Sequence, residues 1–324
     1  MSRLNWIDWA KALGITMVVM GHSNYNVPFL SEMIFMFHMP LFFFISGYLF
    51  KADKTFKEIS VSNWKTLILP YLLFNMLSAT FVVLVGGGKY LLDIPMNMED
   101  NFVIPLKNSL LGIPGNLLCG VTWFLLALVW CRYLTSMFHH RIKWVSILAF
   151  LIWIAILALK YFYNITSYYC IVCGMTGFIW FELGYLFKNK FSQITIPKWL
   201  YIILVPIGFC VCFYILRVNG QCNYLIADTR GFIGILGTGM GLLCIFSLCK
   251  LLDTLNFKVI TAISNASILI MGLHMLVMLP LQKVLNYQHR TLITLIVDIS
   301  IVLTITLVYP MVRKLFPQLI GFRK

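Results

Sequence analysis

Apolar residues fill this chain in long runs separated by short polar stretches, and the runs have the length of a bilayer crossing. A spanning helix needs about 20 mainly apolar residues. That ruler predicts ten helices, at residues 5–25, 30–50, 65–86, 120–138, 143–163, 167–187, 199–217, 230–251, 261–281 and 291–312. The connections are short, and no Ser/Pro-rich linker, repeat or low-complexity tract interrupts the series. The pattern therefore predicts an all-α fold, a polytopic transmembrane bundle of about ten helices forming a single domain over residues 1–324. The longest connection, about 87–119, carries Asp93, Pro95, Glu99, Asp100, Pro105 and Pro114. Loops of that length are often functional, and this one is expected as a solvated tether or as a lid over substrate.

Composition strengthens the membrane assignment. With 60% hydrophobic and 11% charged residues, a soluble globule of 324 residues would have no polar surface to offer water. The 25 Lys and Arg against 11 Asp and Glu give a net charge of +14, which on one patch would suggest nucleic acid. Here the basic residues are scattered among the connections, and they sort by side. With the N-terminus inside, seventeen of the 25 fall on the inner face and seven on the outer, and Lys11 lies within the first span. The positive-inside rule then predicts both termini in the cytoplasm and the 87–119 connection outside. Trp6, Trp9, Trp144 and Tyr201 near span ends fit interfacial aromatic belts.

The nine cysteines suggest no disulfide framework, since most, including Cys131, Cys212 and Cys249, sit in apolar runs. Cys170 and Cys173 form a C-x-x-C without a second ligand pair, so packing is expected and no metal. The first span is expected to remain as helix one, because Asp8 and Lys11 interrupt it and no A-x-A cleavage site follows. Asn164-Ile165-Thr166 is a glycosylation sequon, but one hugging the membrane. Gly237-Thr238-Gly239-Met240-Gly241 follows no strand, and is read as a close helix contact rather than a dinucleotide loop.

Ionisable and strongly polar side chains within spans are costly and point to function. Those singled out are Asp8, Lys11, His22, His38, Glu182, Asn265 and His274. Lys11 and His22 are eleven residues apart, so on a helix they return to within about 20° of one face and stand about 16 Å apart along the axis. One interpretation is chemical: a cation at the inner end holds a phosphorylated cofactor, and a histidine one flexible arm away moves a proton. The other is structural: a snorkelling lysine paired with Asp8 at i,i+3, and an interfacial histidine bonded to backbone.

The stretch Trp6 to His22 (WIDWAKALGITMVVMGH), followed by Phe37 to Phe50 (FHMPLFFFISGYLF), resembles the opening of the acyltransferase-3 family. That family carries a basic residue, ten intervening residues and a histidine in its first helix; Lys11 and His22 match, with Lys where many members have Arg. The resemblance continues through Leu69-Pro70-Tyr71, Trp123-Phe124-Leu125, Glu182 to Lys188 and Ile263 to His274, over essentially the whole chain. The form around Phe37 is more like the branch that includes fucose 4-O-acetylase-like and enterobacterial-common-antigen acetyltransferases. The W-S-L-x-x-E pattern of other branches and their extracytoplasmic domain are missing.

The resemblance implies a membrane O-acyltransferase of the bacterial cytoplasmic membrane. It would move an acyl group, most often acetyl, from cytoplasmic acyl-CoA to a hydroxyl of a cell-surface glycan or lipid-linked sugar. It assigns His22 as the catalytic residue, acting as general base or transient acyl carrier, and Lys11 as the acyl-CoA partner. His38, Ser46, Tyr48, Tyr71, Trp123, Asn265 and His274 are expected to line the site. Acetyl-CoA or another acyl-CoA, membrane lipids and the sugar acceptor are the expected partners, with no nucleic acid and no metal. The competing expectation is a glycan or lipid transporter or flippase.

Overall fold

The computed structural model describes residues 3–23, 25–91, 99–140, 143–163, 167–191, 196–285, 287 and 290–321. The α-helices run, in order, α1 Asn5–Gly21, α2 Leu30–Leu49, α3 Phe56–Asn63, α4 Leu69–Leu91, α5 Ile104–Leu111, α6 Trp123–Phe138, α7 Lys143–Tyr163, α8 Ile171–Leu186, α9 Lys198–Asn219, α10 Gly231–Leu251, α11 Lys258–Leu285 and α12 Thr291–Leu315. Extended pairing among the described residues is limited to an isolated bridge between Asn223 and Asp228. Nine helical stretches among the described residues are long and apolar enough to cross a membrane. The tenth predicted span, α1, has 17 residues and stops at Gly21 instead of 25. The chain is a multi-pass helical membrane protein.

The third predicted span begins earlier than expected. Thr55 and Glu58 form a reciprocal capping box that starts α3, and a π-helical turn, Trp64–Ile68, carries it into α4. Pro70 lacks the N–H that a regular α-turn there would use, which fits the local widening. Within the 87–119 connection, Glu99–Val103 and α5 are helical, α5 having Pro105 in its first turn and ending at Gly112 with φ 59°. Asp93, Pro95 and the sequon at 164–166 lie outside the described residues.

The chain divides into two compact units, residues 1–50 with 179–310 and residues 51–178 with 311–324. In the first, α1 packs on α2 and α11, and α10 packs on α9 and α2. Close approach depends on glycines. A Cβ on Gly47 would stand 1.8 Å from the Phe181 carbonyl oxygen, and one on Gly184 2.0 Å from that of Phe44, so α2 and α8 meet backbone to backbone. Gly237 and Gly241 do face neighbouring helices, Gly237 toward Ile215 and Met36 and Gly241 toward Phe37 and Cys212.

Thr238, between those glycines, repairs α2. Pro40 has no N–H for the Met36 carbonyl four residues back, and the Thr238 hydroxyl donates to that oxygen at 3.0 Å. The Tyr224 hydroxyl donates to Thr238 and the Trp180 indole donates to Tyr224, which completes a buried chain of donors. In the second unit, Arg132 on α6 donates to Asn63 at 3.1 Å and to Thr66 at 3.0 Å. Asn75 on α4 donates to Thr122 and accepts from Ser109 and the Cys119 backbone, joining α4, α5 and the start of α6.

Candidate functional site

The start of α1 is fixed from outside the helix. Its N-cap, Leu4, has no capping side chain, so the Asp253 carboxylate accepts the Trp6 N–H at 2.8 Å. Asn5 donates to the Asp253 and Leu255 carbonyls, and the Trp9 indole donates to Leu255 at 2.9 Å. These bonds set the rotation of the helix and hence the direction in which its stripe faces.

Asp8 is buried and already engaged. Arg3 pairs with it, its Nη2 donating at 3.0 Å, and the Ser264 hydroxyl on α11 donates at 2.6 Å. Arg3 also donates to Asn265 at 3.1 Å. The i,i+3 pair of Asp8 with Lys11, expected under the structural interpretation, is therefore replaced by Arg3. Lys11 is half-buried, and its ammonium makes no ion pair or hydrogen bond with the described residues. Between Lys11 and His22 the stripe continues through Ile15 and Val18, 1% and 4% exposed. At Ile15 and Val18 that face of α1 is turned into protein.

His22 is the first residue past the helix, its N–H returning to Val19 and Met20. Its ring lies 5.5 Å from that of His274, centroid to centroid and tilted by 34°. Phe35 is edge-on to His22 at 5.7 Å and stands 5.3 Å from His38. His22 thus stands between His274 of α11 and Phe35 of α2, and Phe35 leads on to His38. The carbonyls facing His38 and His274 fix their tautomers: His38 Nδ1 donates to Ile34 at 2.9 Å, and His274 Nδ1 faces Ile270 and Met271 at 3.0 and 2.9 Å. A carbonyl only accepts, so each neutral ring carries its proton on Nδ1 and presents Nε2 as a lone pair. The His274 Nε2 is buried without a partner, an uncommon state for a polar atom. Among the described residues no three His, Cys, Asp or Glu side chains converge as a metal site.

The remaining expected residues separate. Asn265 sits at the Arg3–Asp8 end of α1. Tyr48 packs edge-on against Trp6 at 5.0 Å, near the same end, and Ser46 is half-buried on α2. Tyr71 and Trp123 belong to the second unit, where the Tyr71 hydroxyl donates to the Ser109 carbonyl at 2.6 Å and Trp123 is buried at the start of α6. One residue was missed from the sequence: Asp298 on α12, 0% exposed, accepts from Ser23 at 2.7 Å and from Tyr25. It is an acidic residue within an apolar span, so the rule that selected Asp8 selects it equally.

The acyltransferase-3 family model, described as an acyltransferase domain, matches residues 4–313. The nodulation protein NolL of Mesorhizobium japonicum (strain LMG 29417 / CECT 9101 / MAFF 303099) is 26% identical over 234 residues, covering 64% of this chain and 54% of its own length. The chain thus spans about half of that relative. No solved structure matches. The matched region contains both ends of the α1 stripe and the three histidines, and the chain belongs to the acyltransferase-3 family.

Proposed function

We propose that the protein is a membrane O-acyltransferase that moves an acetyl group from acetyl-CoA to a hydroxyl of a cell-surface glycan or lipid-linked sugar. The observation that carries this is a pair of groups on one face of α1 that make no hydrogen bond or ion pair with the described residues: the Lys11 ammonium at one end, and His22, beside the unpartnered His274 Nε2, at the other. With the N-terminus in the cytoplasm, Lys11 faces the acyl-CoA supply and His22 faces the outer side, across about 16 Å of helix.

Lys11 offers a single cation to the phosphates of the donor, whose pantetheine arm has the reach to bring the thioester to the other end. His22, as general base, takes the proton of the acceptor hydroxyl while the oxygen attacks the thioester carbonyl. The carbon–sulfur bond then breaks, the CoA thiolate leaves, and the proton held by His22 is available to neutralise it. His274 presents a lone pair beside that imidazole and can hold its N–H in line. The membrane in question is the bacterial cytoplasmic membrane.

The test uses protein in lipid nanodiscs with radiolabelled acetyl-CoA and the envelope glycan of a deletion strain. Label should enter the glycan with the wild type and not with His22→Ala of unchanged melting temperature. Undiminished transfer by His22→Ala would overturn the assignment. Glycan movement across vesicles without dependence on acetyl-CoA would favour the transporter.

A further inference from the structure

The segment leaving α1 is tied to a carboxylate that the proposed chemistry does not use. Asp298 is fully buried on α12, with Ile301 and Val302 also buried on the same helix. A charge in such a place costs several kcal/mol unless it is compensated, and among the described residues no cation pairs with it. Its compensation is two hydroxyls from the turn after α1: Ser23 donates to one oxygen at 2.7 Å and Tyr25 donates to the other. Ser23 is 2% exposed and also lies 3.2 Å from the Met278 sulfur on α11. The turn is thus bolted to α12 at two points two residues apart.

His22 immediately precedes Ser23. Its backbone, at φ −88° and ψ −1°, forms the end of the helix, so anchoring Ser23 and Tyr25 fixes where the imidazole leaves the chain. Without the anchor the end of α1 is held by the backbone bonds of a last turn, and such turns fray. The bond to Asp298 is what a histidine needs if its ring must keep one bearing toward His274, 5.5 Å away.

We propose that Asp298 is a positioning residue for His22: through Ser23 and Tyr25 it sets the orientation of the imidazole and touches neither substrate. The inference rests on the assignment of chemistry to His22. Misplacing a reacting group by about 1 Å costs about 100-fold, so Asp298→Ala should lower kcat per folded molecule by about 10- to 100-fold. The KM for acetyl-CoA should stay within about twofold, because the Lys11 end of α1 is held by Asp253 and Arg3. Ser23→Ala/Tyr25→Phe should show the same kcat loss, and combining it with Asp298→Ala should add nothing, since all three changes break one link.

The experiment is steady-state acetyl transfer from labelled acetyl-CoA to the deletion strain's glycan in nanodiscs, with melting temperatures for each variant. A lower melting temperature with unchanged kcat would make Asp298 structural only and overturn the proposal, as would multiplicative losses in the combined variant. Should Asp298→Ala fail to fold, Ser23→Ala/Tyr25→Phe decides alone: a kcat loss at constant KM supports the link, and wild-type kcat refutes it. An active His22→Ala would instead remove the underlying assignment, a result distinct from any of these.

Discussion

The two ends of α1 are built on one plan with opposite contents. At the N-terminal end the Asp8 carboxylate absorbs Arg3 and Ser264, and a lysine three residues on has no partner among the described residues. At the C-terminal end the Asp298 carboxylate absorbs Ser23 and Tyr25, and the histidine just before Ser23 packs against the rings of Phe35 and His274. In each case a buried acid satisfies the local donors, and the group with chemical reach stays uncommitted. The difference lies in what each end offers: an amine suited to phosphate, or an imidazole suited to a proton. On the proposed function, a single helix would separate binding from chemistry by its own length.

The most direct challenge to this division truncates both free groups in one assay. His22→Ala should lower kcat by about 10²- to 10⁴-fold, the usual contribution of a positioned general base, with little change in the KM for acetyl-CoA. Lys11→Ala should do the reverse, raising that KM by about 10- to 100-fold, as loss of a charged hydrogen bond of about 1.5–3 kcal/mol would; Lys11→Arg should restore it. A fall in kcat with constant KM for Lys11→Ala would erase the division of labour.

Asp8→Ala tests whether the acid at that end is only a sink for donors. It should cost about 1–3 kcal/mol of stability by stranding Ser264 and Arg3, read as a lower melting temperature, while raising KM less than Lys11→Ala does. Thr238→Val lies outside both ends and sets the baseline. It should cost about 1 kcal/mol, as interhelical hydrogen bonds in membranes do, and leave kcat and KM as they are; an altered kcat would mean that the α2 break itself tunes His38.

Spans were legible in the sequence because hydropathy over about 20 residues is a strong signal: each of the ten predicted helices is present among the described residues, nine of them long and apolar enough to span, with ends shifted by only a few residues in most cases. The exceptions have separate causes. Helix α1 ends at Gly21, and just beyond it Ser23 and Tyr25 bond Asp298, 275 residues away from Ser23; no local pattern encodes such a partner. The extension of the third span into α3 was written locally, in the Thr55–Glu58 capping box, but its polar residues placed it below the hydropathy ruler. The Lys11–His22 stripe followed from periodicity alone. That Asp8 would choose Arg3 over Lys11 depended on Ser264 and Asn265 arriving on α11. Motif membership mixed two kinds of residue: Gly47 and Gly184 lie in matched motifs because two backbones touch there, whereas His274 lies in one with a buried lone pair toward no partner.

The hydroxyl that Thr238 lends to Met36 also imposes an order in time. The two residues are 202 positions apart, so at about 5–20 residues per second roughly 10–40 s of synthesis separate them. Through that interval α2 exists with a carbonyl that has no helical donor, in a solvent that supplies none. Until α10 emerges the Met36 carbonyl lacks the Thr238 hydroxyl, so the bond that repairs the Pro40 break joins α2 to one of the later helices to be made.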